Sequence, residues 1–184
     1  MVGISLASAR GLRQPVEWRN LRAFDFRQEG RGPMRTYLVV VDETEEAEIA
    51  LRFAARRAAK TGGSVDILTI AEPEEFVAWG SVQATIQAEA EERAQDVANR
   101  ALDMLGDEKG VLPRIVVKHG EPVAMIMEAI ADNPDIAALV LGAARGASPG
   151  PLVTHFSGTE AGNLPVPLMV IPGSLSREAL DRLS

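Results

Sequence analysis

Apolar residues in this chain come in short unbroken runs, separated by longer stretches in which they recur every third or fourth position. Thr36-Tyr37-Leu38-Val39-Val40-Val41-Asp42 is almost continuously apolar, the pattern of a parallel strand covered on both faces. Thr44 then offers a helix cap, and Glu45, Glu46 and Glu48 place acids where the helix dipole favours them. Ile49, Leu51, Phe53, Ala54 and Ala58 supply the apolar stripe, and Thr61-Gly62-Gly63 ends it. Ser64 to Ile70 predicts a second strand. After the break Glu72-Pro73-Glu74-Glu75, residues 82–105 are rich in Ala, Glu, Gln and Arg, a helix signal stopped by Gly106.

The alternation continues without repeating the sequence. Pro113 to Lys118 predicts a third strand, and Glu121-Pro122 opens a helix carrying Val123, Ile126, Met127 and Ile130 before Pro134. Ile136 to Leu141 and Pro167 to Ile171 predict the fourth and fifth strands. A short capped helix is expected from Ser174 through Leu175, Ala179, Leu180 and Leu183. Strands alternating with helices imply an α/β fold, a parallel sheet with helices on both faces joined by right-handed crossovers.

Composition narrows the class. The chain has 184 residues, 46% of them hydrophobic and only 4% aromatic, so one sizeable aliphatic core is expected. It lacks cysteine, which removes disulfides, thiolate metal sites and thiol nucleophiles and fits a reducing compartment. No apolar run reaches the roughly 20 residues of a membrane helix, so a soluble protein with no membrane partner is expected. A net charge of −7 argues against nucleic acid as a partner.

That charge is uneven. Residues 1–33 hold six arginines and three acids, a local +3 that leaves −10 for residues 34–184 out of the total of −7. The breaker cluster Glu29-Gly30-Arg31-Gly32-Pro33 precedes Met34, so residues 1–33 read as a disordered or mis-started extension. The expected domain runs over 34–173, with a helical tail over 174–184.

In open parallel sheets, ligands sit beyond the carboxyl ends of the strands where strand order reverses. If the first and fourth strands flank that point, Asp42 and the loop after Gly142 face one crevice. Asp42 fits either an Asx-type turn or an acceptor for an adenine amino group or ribose hydroxyl, and Ile70 either walls a base or is an ordinary strand residue. The run Gly142-Ala143-Ala144-Arg145-Gly146-Ala147-Ser148-Pro149-Gly150, followed by Gly158-Thr159, offers glycine N–H groups, a guanidinium and a hydroxyl to phosphates.

Other α/β chemistries fail on position. Asp42-Glu43-Thr44-Glu45 occupies the place of a dinucleotide fingerprint, and the chain has neither a Gly-Lys-Ser/Thr phosphate loop nor a Gly-x-Ser-x-Gly elbow. The third strand ends in Lys118-His119-Gly120, without a phosphate-accepting aspartate. His119 and His155 are the only histidines, so neither a catalytic constellation nor a metal site is legible, and weak ATP hydrolysis lacks a base.

Taken together, Val39-Val40-Val41-Asp42, the helix Ala50 to Ala58, Val65 to Ile70, Gly120-Glu121-Pro122, the strand ending at Gly142, Gly158-Thr159 and Pro165-Val166-Pro167-Leu168-Met169-Val170-Ile171-Pro172 resemble the universal stress protein (UspA-like) family over residues 35–173. The resemblance implies a Rossmann-like, adenine nucleotide alpha hydrolase-like sheet of five parallel strands in the order 3-2-1-4-5. It also implies a cytoplasmic stress-response protein, a homodimer, and ATP as ligand of Asp42, Ile70, Gly142, Arg145, Gly146, Gly158 and Thr159. The aliphatic last strand, Leu168 to Ile171, is expected to pair the two copies, and magnesium to offset repulsion of ATP by the acidic domain.

The family's ATP-binding members use Gly-x2-Gly-x9-Gly-Ser/Thr. Here Gly142 matches the first glycine, Arg145 stands at the second with Gly146 beside it, and Gly158 lies 16 positions after Gly142 instead of 13. The loop is three residues longer, and Pro149 and Pro151 remove N–H donors. Two expectations stand side by side: an adenine-nucleotide binder, and a dimeric interaction protein that binds none.

Overall fold

The computed structural model describes residues 35–71, 81–106 and 111–184. The extension 1–33, the start at Met34 and the acid run Glu72, Glu74 and Glu75 lie outside them. The element order is β1 (Thr36–Val40), α1 (Glu45–Thr61), β2 (Ser64–Ala71), α2 (Ser81–Leu105), β3 (Leu112–His119), α3 (Pro122–Asp132), β4 (Ile136–Ala143), α4 (Pro151–Ser157), β5 (Leu168–Pro172) and α5 (Arg177–Leu183). The strands form one parallel sheet in the order β3-β2-β1-β4-β5, as the family resemblance implies.

Each central strand is apolar on both faces because a helical layer covers each. On one face Tyr37, Val39, Val65, Ile67 and Val140 pack beneath Leu51, Phe53 and Ala54 of α1, Val97 and Ala101 of α2 and Leu180 of α5. On the other, Leu38, Leu68, Leu139 and Leu141 meet Ile126 and Ile130 of α3 and Val153 and Phe156 of α4. Burial of each large side chain is worth about 1.5–3 kcal/mol, so these two layers carry most of the fold's stability. Met127, expected on the buried stripe of α3, is instead exposed, and Ala129 takes the inward place.

Local chemistry sets the ends of α1. Thr44 Oγ1 accepts the Ala47 N–H at 3.3 Å, and Gly62, at φ 67°, closes the other end in the left-handed conformation. Three boundaries differ from the sequence pattern. β4 runs on through Gly142 and Ala143, because β5 pairs with both of them. The tail helix is capped by Ser176, whose hydroxyl accepts the Ala179 N–H, rather than by Ser174. Pro149-Gly150-Pro151, which reads as loop, opens α4: Pro151 takes the first helical position, where no N–H is needed.

A buried polar cluster braces β2 against β3. Asp66, almost fully buried, accepts Arg114 Nε at 3.0 Å and Arg114 Nη2 at 2.5 Å, and Asn133 Nδ2 at 3.0 Å. Further along β3, Lys118 Nζ reaches Glu128 and Asp132 of α3, both at 2.8 Å. The hydrogen bond to Asp132, then that to Glu128, raises the Lys118 pKa.

Candidate functional site

The chain builds β1, β2 and β3 outward in one direction and then returns to place β4 on the other side of β1, so strand order reverses beside β1. Beyond the carboxyl ends of β1 and β2 lies a cleft of about 290 Å³. Val40, Val41, Asp42 and Glu43 come from β1 and its exit, and Thr69, Ile70 and Ala71 from β2. Ala90, Arg93, Ala94 and Val97 of α2 form one wall, and Pro122 and Leu152 close it from the first turns of α3 and α4. Its walls are mostly aliphatic with polar groups at the rim, the usual character of a small-molecule site.

Asp42 does two things at once. Its Oδ1 accepts the Thr44 N–H at 2.9 Å and the Thr44 hydroxyl at 2.6 Å, an Asx turn that leads the chain into α1. The side chain is exposed at the cleft rim, and Oδ2 has no partner among the described residues. The Asx-turn reading of Asp42 is thus realised through Oδ1, and it leaves the second carboxylate oxygen at the cleft rim. Ile70 is half-buried and lines the same cleft.

The glycine-rich segment is arranged otherwise. Gly142 pairs with Ile171 inside the sheet, and a Cβ there would stand 2.9 Å from Ala47 N and closer still to the Glu46 carbonyl. Its lack of a side chain lets the first turn of α1 rest on β4. Arg145 Nε donates to the Gly173 carbonyl at 2.7 Å, at the exit of β5, and the Ala144 N–H closes the loop on Pro149 at 3.2 Å. Gly146 is exposed, at φ 112°.

Gly158 lies at the C-terminal end of α4, its N–H donated to the His155 carbonyl at 3.3 Å. Only a 3-10 turn, Thr159–Gly162, follows it, so the helix of this segment stands before Gly158-Thr159. The Thr159 side chain lies outside the described residues. Among the described residues, Asp42 and Ile70 meet in the cleft, whereas Gly142, Arg145, Gly146 and Gly158 do not line it.

Two site features escape the sequence pattern. Thr69 is only 1% exposed, and its Oγ1 has no hydrogen-bond partner among the described residues. A buried hydroxyl left unpaired is unusual, and this one sits in the cleft wall. The signal was present: Val65, Ile67, Thr69 and Ala71 share one face of β2, and Thr69 is the polar exception. The α2 wall had no comparable signal, since its Ala-rich surface says nothing about what it covers.

Charges of both signs line the cleft, Asp42 and Glu43 against Arg93. Glu121 caps α3, accepting the Ala124 N–H at 2.8 Å and the Val123 N–H at 3.1 Å. Those two bonds, with a smaller contribution from nearby His155, hold its pKa below the usual carboxylate value. His155 is exposed, in edge contact with the Phe156 ring, and His119 Nδ1 lies 3.9 Å from Glu91 of α2. Among the described residues no group of three or more His, Asp or Glu side chains could hold a metal.

Comparison with known proteins agrees with this architecture. A model of the universal stress protein family matches residues 34–172. Among solved structures, universal stress protein UspA from Lactobacillus plantarum superposes with a TM-score of 0.64 at 15% identity, covering 77% of this chain and 99% of that one. A universal stress protein family member from Burkholderia pseudomallei gives 0.59 at 17% identity, covering 77% and 98%. A universal stress protein from Archaeoglobus fulgidus gives 0.54 at 22% identity, covering 75% and 98%. The search of curated proteins gives no match.

Proposed function

Because the chain belongs to the universal stress protein family, we propose that it is a cytoplasmic stress-response protein that binds an adenine nucleotide in the cleft beside Asp42 and Ile70. The observation that carries this is the cleft itself. It is an aliphatic slot beyond the carboxyl ends of β1 and β2, next to the sheet's switch point, with a carboxylate oxygen at its rim and a buried hydroxyl in its wall. An adenine ring suits such a slot, since its faces are apolar and its amino group donates to a carboxylate. ATP is the nucleotide the family resemblance implies, and magnesium would offset its charge against the acidic domain. The nucleotide acts as a signal whose occupancy alters shape or partners. We assign no catalytic residue.

Calorimetric titration with ATP, with and without magnesium, tests this reading. Saturable heat and a rise in melting temperature are expected, and neither at millimolar nucleotide would sink it. Asp42→Ala should weaken binding.

A second reading, a dimeric interaction protein without a nucleotide, is favoured by one observation. β5 is a sheet edge with Val170 37% exposed, a surface suited to a second copy of the chain. The two readings are compatible in one molecule. The domain carrying both functions is proposed to span 34–173.

A further inference from the structure

Resting on the nucleotide reading above, we infer that this cleft recognises the base and ribose alone and leaves the phosphates unread, so that adenosine, AMP and ATP are equivalent ligands. Two of the groups that the sequence offers to phosphates, Arg145 Nε and the Gly158 N–H, are bound elsewhere. The Arg145 guanidinium is drawn to the Gly173 carbonyl at 2.7 Å, at the far edge of the sheet. With β4 and β1 standing between β5 and β2, that edge lies about 14 Å from β2 at the usual strand spacing. The Gly158 N–H is donated to His155, at the C-terminal end of α4, where the backbone dipole presents its negative end. Pro149 and Pro151 have no N–H to give.

At the start of α1, near Gly142, three N–H groups are also bound within the chain. Thr44 N–H goes to Asp42, Ala47 N–H to the Thr44 hydroxyl and Glu48 N–H to the Thr44 carbonyl. The Glu46 backbone stands against Gly142, and its Cα and Cβ against Gly173, so the first turn of α1 fills the space beside both glycines. A triphosphate leaving the cleft toward β4 therefore meets the packed first turn of α1 and donors that are already bound. The base end differs: among the described residues Asp42 Oδ2 has no partner and Thr69 Oγ1 is buried without one, so a polar ligand edge has groups left to satisfy.

The test is a calorimetric series with adenosine, AMP, ATP and magnesium-ATP, and with inorganic tripolyphosphate as the probe of phosphate recognition. The expected result is affinities within about threefold among the adenine compounds and no heat from tripolyphosphate. ATP binding more than about tenfold tighter than adenosine would overturn the inference while leaving the nucleotide reading intact. Failure of every adenine compound to bind would remove that reading itself, and this inference with it.

Two variants separate the ends of the ligand. Arg145→Ala is expected to leave ATP affinity unchanged; a loss specific to ATP and not adenosine would count against the proposal. Thr69→Val, nearly isosteric, should keep the melting temperature and weaken adenosine by about fivefold or more, as expected when a buried hydrogen bond to ligand is lost. Unchanged adenosine affinity would overturn Thr69 as a base reader.

Discussion

Gly142 shows how one residue can carry a motif's identity and yet serve packing. It stands at the first glycine of the nucleotide-loop pattern, but its bare Cα is what allows the Glu46 and Ala47 backbone to lie against β4. Gly142→Ala places a methyl group against backbone, which cannot rotate away as a side chain can. We expect a loss of about 1–3 kcal/mol, the range for forced overpacking, measured as a shift of the urea midpoint at constant slope. A stability change below a few tenths would show that α1 is free to shift. Arg145 illustrates the converse, a charged residue in a motif position whose recorded bond goes to the Gly173 carbonyl, away from the cleft.

At the scale of the element, caps and added helices decide what the sheet presents. Glu121 begins α3 by accepting two backbone N–H groups, which depresses its pKa in the folded state. A depressed carboxylate pKa contributes stability that is present above the ordinary value, 4.5, and is lost as pH falls through the folded value. Glu121→Ala should therefore lower the melting temperature at pH 7, and the gap from wild type should narrow as pH falls below 4.5. A gap independent of pH would mean that the charge on Glu121 contributes nothing. The α5 helix makes a different contribution: it lies beyond the family match, yet Leu180 is 2% exposed within the core beneath α1. Asp181 pairs with Arg56 and Lys60 with the Ser184 carbonyl, both holding α5 onto α1. Leu180→Ala should cost about 2–5 kcal/mol in chemical denaturation, the range for a buried leucine, and an effect under 1 would mean that α5 is dispensable.

For the molecule as a whole, the two edges of the sheet are unlike. The β3 edge carries Pro113, Arg114 and Lys118, residues that discourage strand addition. The β5 edge is Leu168, Met169, Val170, Ile171 and, at its end, Pro172, without a charge. That asymmetry favours pairing of two copies through β5, so light scattering should give the mass of a dimer. Val170→Asp should return a monomer with its melting transition retained; a wild-type monomer at micromolar concentration would remove the pairing. Adding an α5 deletion to the same series would tell whether the tail helix contributes to that edge.

The sequence by itself determined the fold and where Asp42 and Ile70 stand in it. Unbroken runs such as Tyr37 to Val41 and Ile136 to Leu141 can be buried on both faces only in a parallel sheet between helical layers, and the positions of Asp42 and Ile70 at strand ends follow from that. Met127 and Ser174 misled because helical periodicity gives a face without saying how wide the neighbouring layer is or where the first turn begins. What only the tertiary structure decided is the fate of the glycine-rich segment. A motif names groups able to bind phosphate, but whether Arg145, Gly158 and the start of α1 are available depends on their partners, Gly173, His155 and Thr44. The α2 wall over Thr69 likewise exists only once the chain has folded back. Backbone and side-chain donors are spent once, and only the folded molecule shows on what.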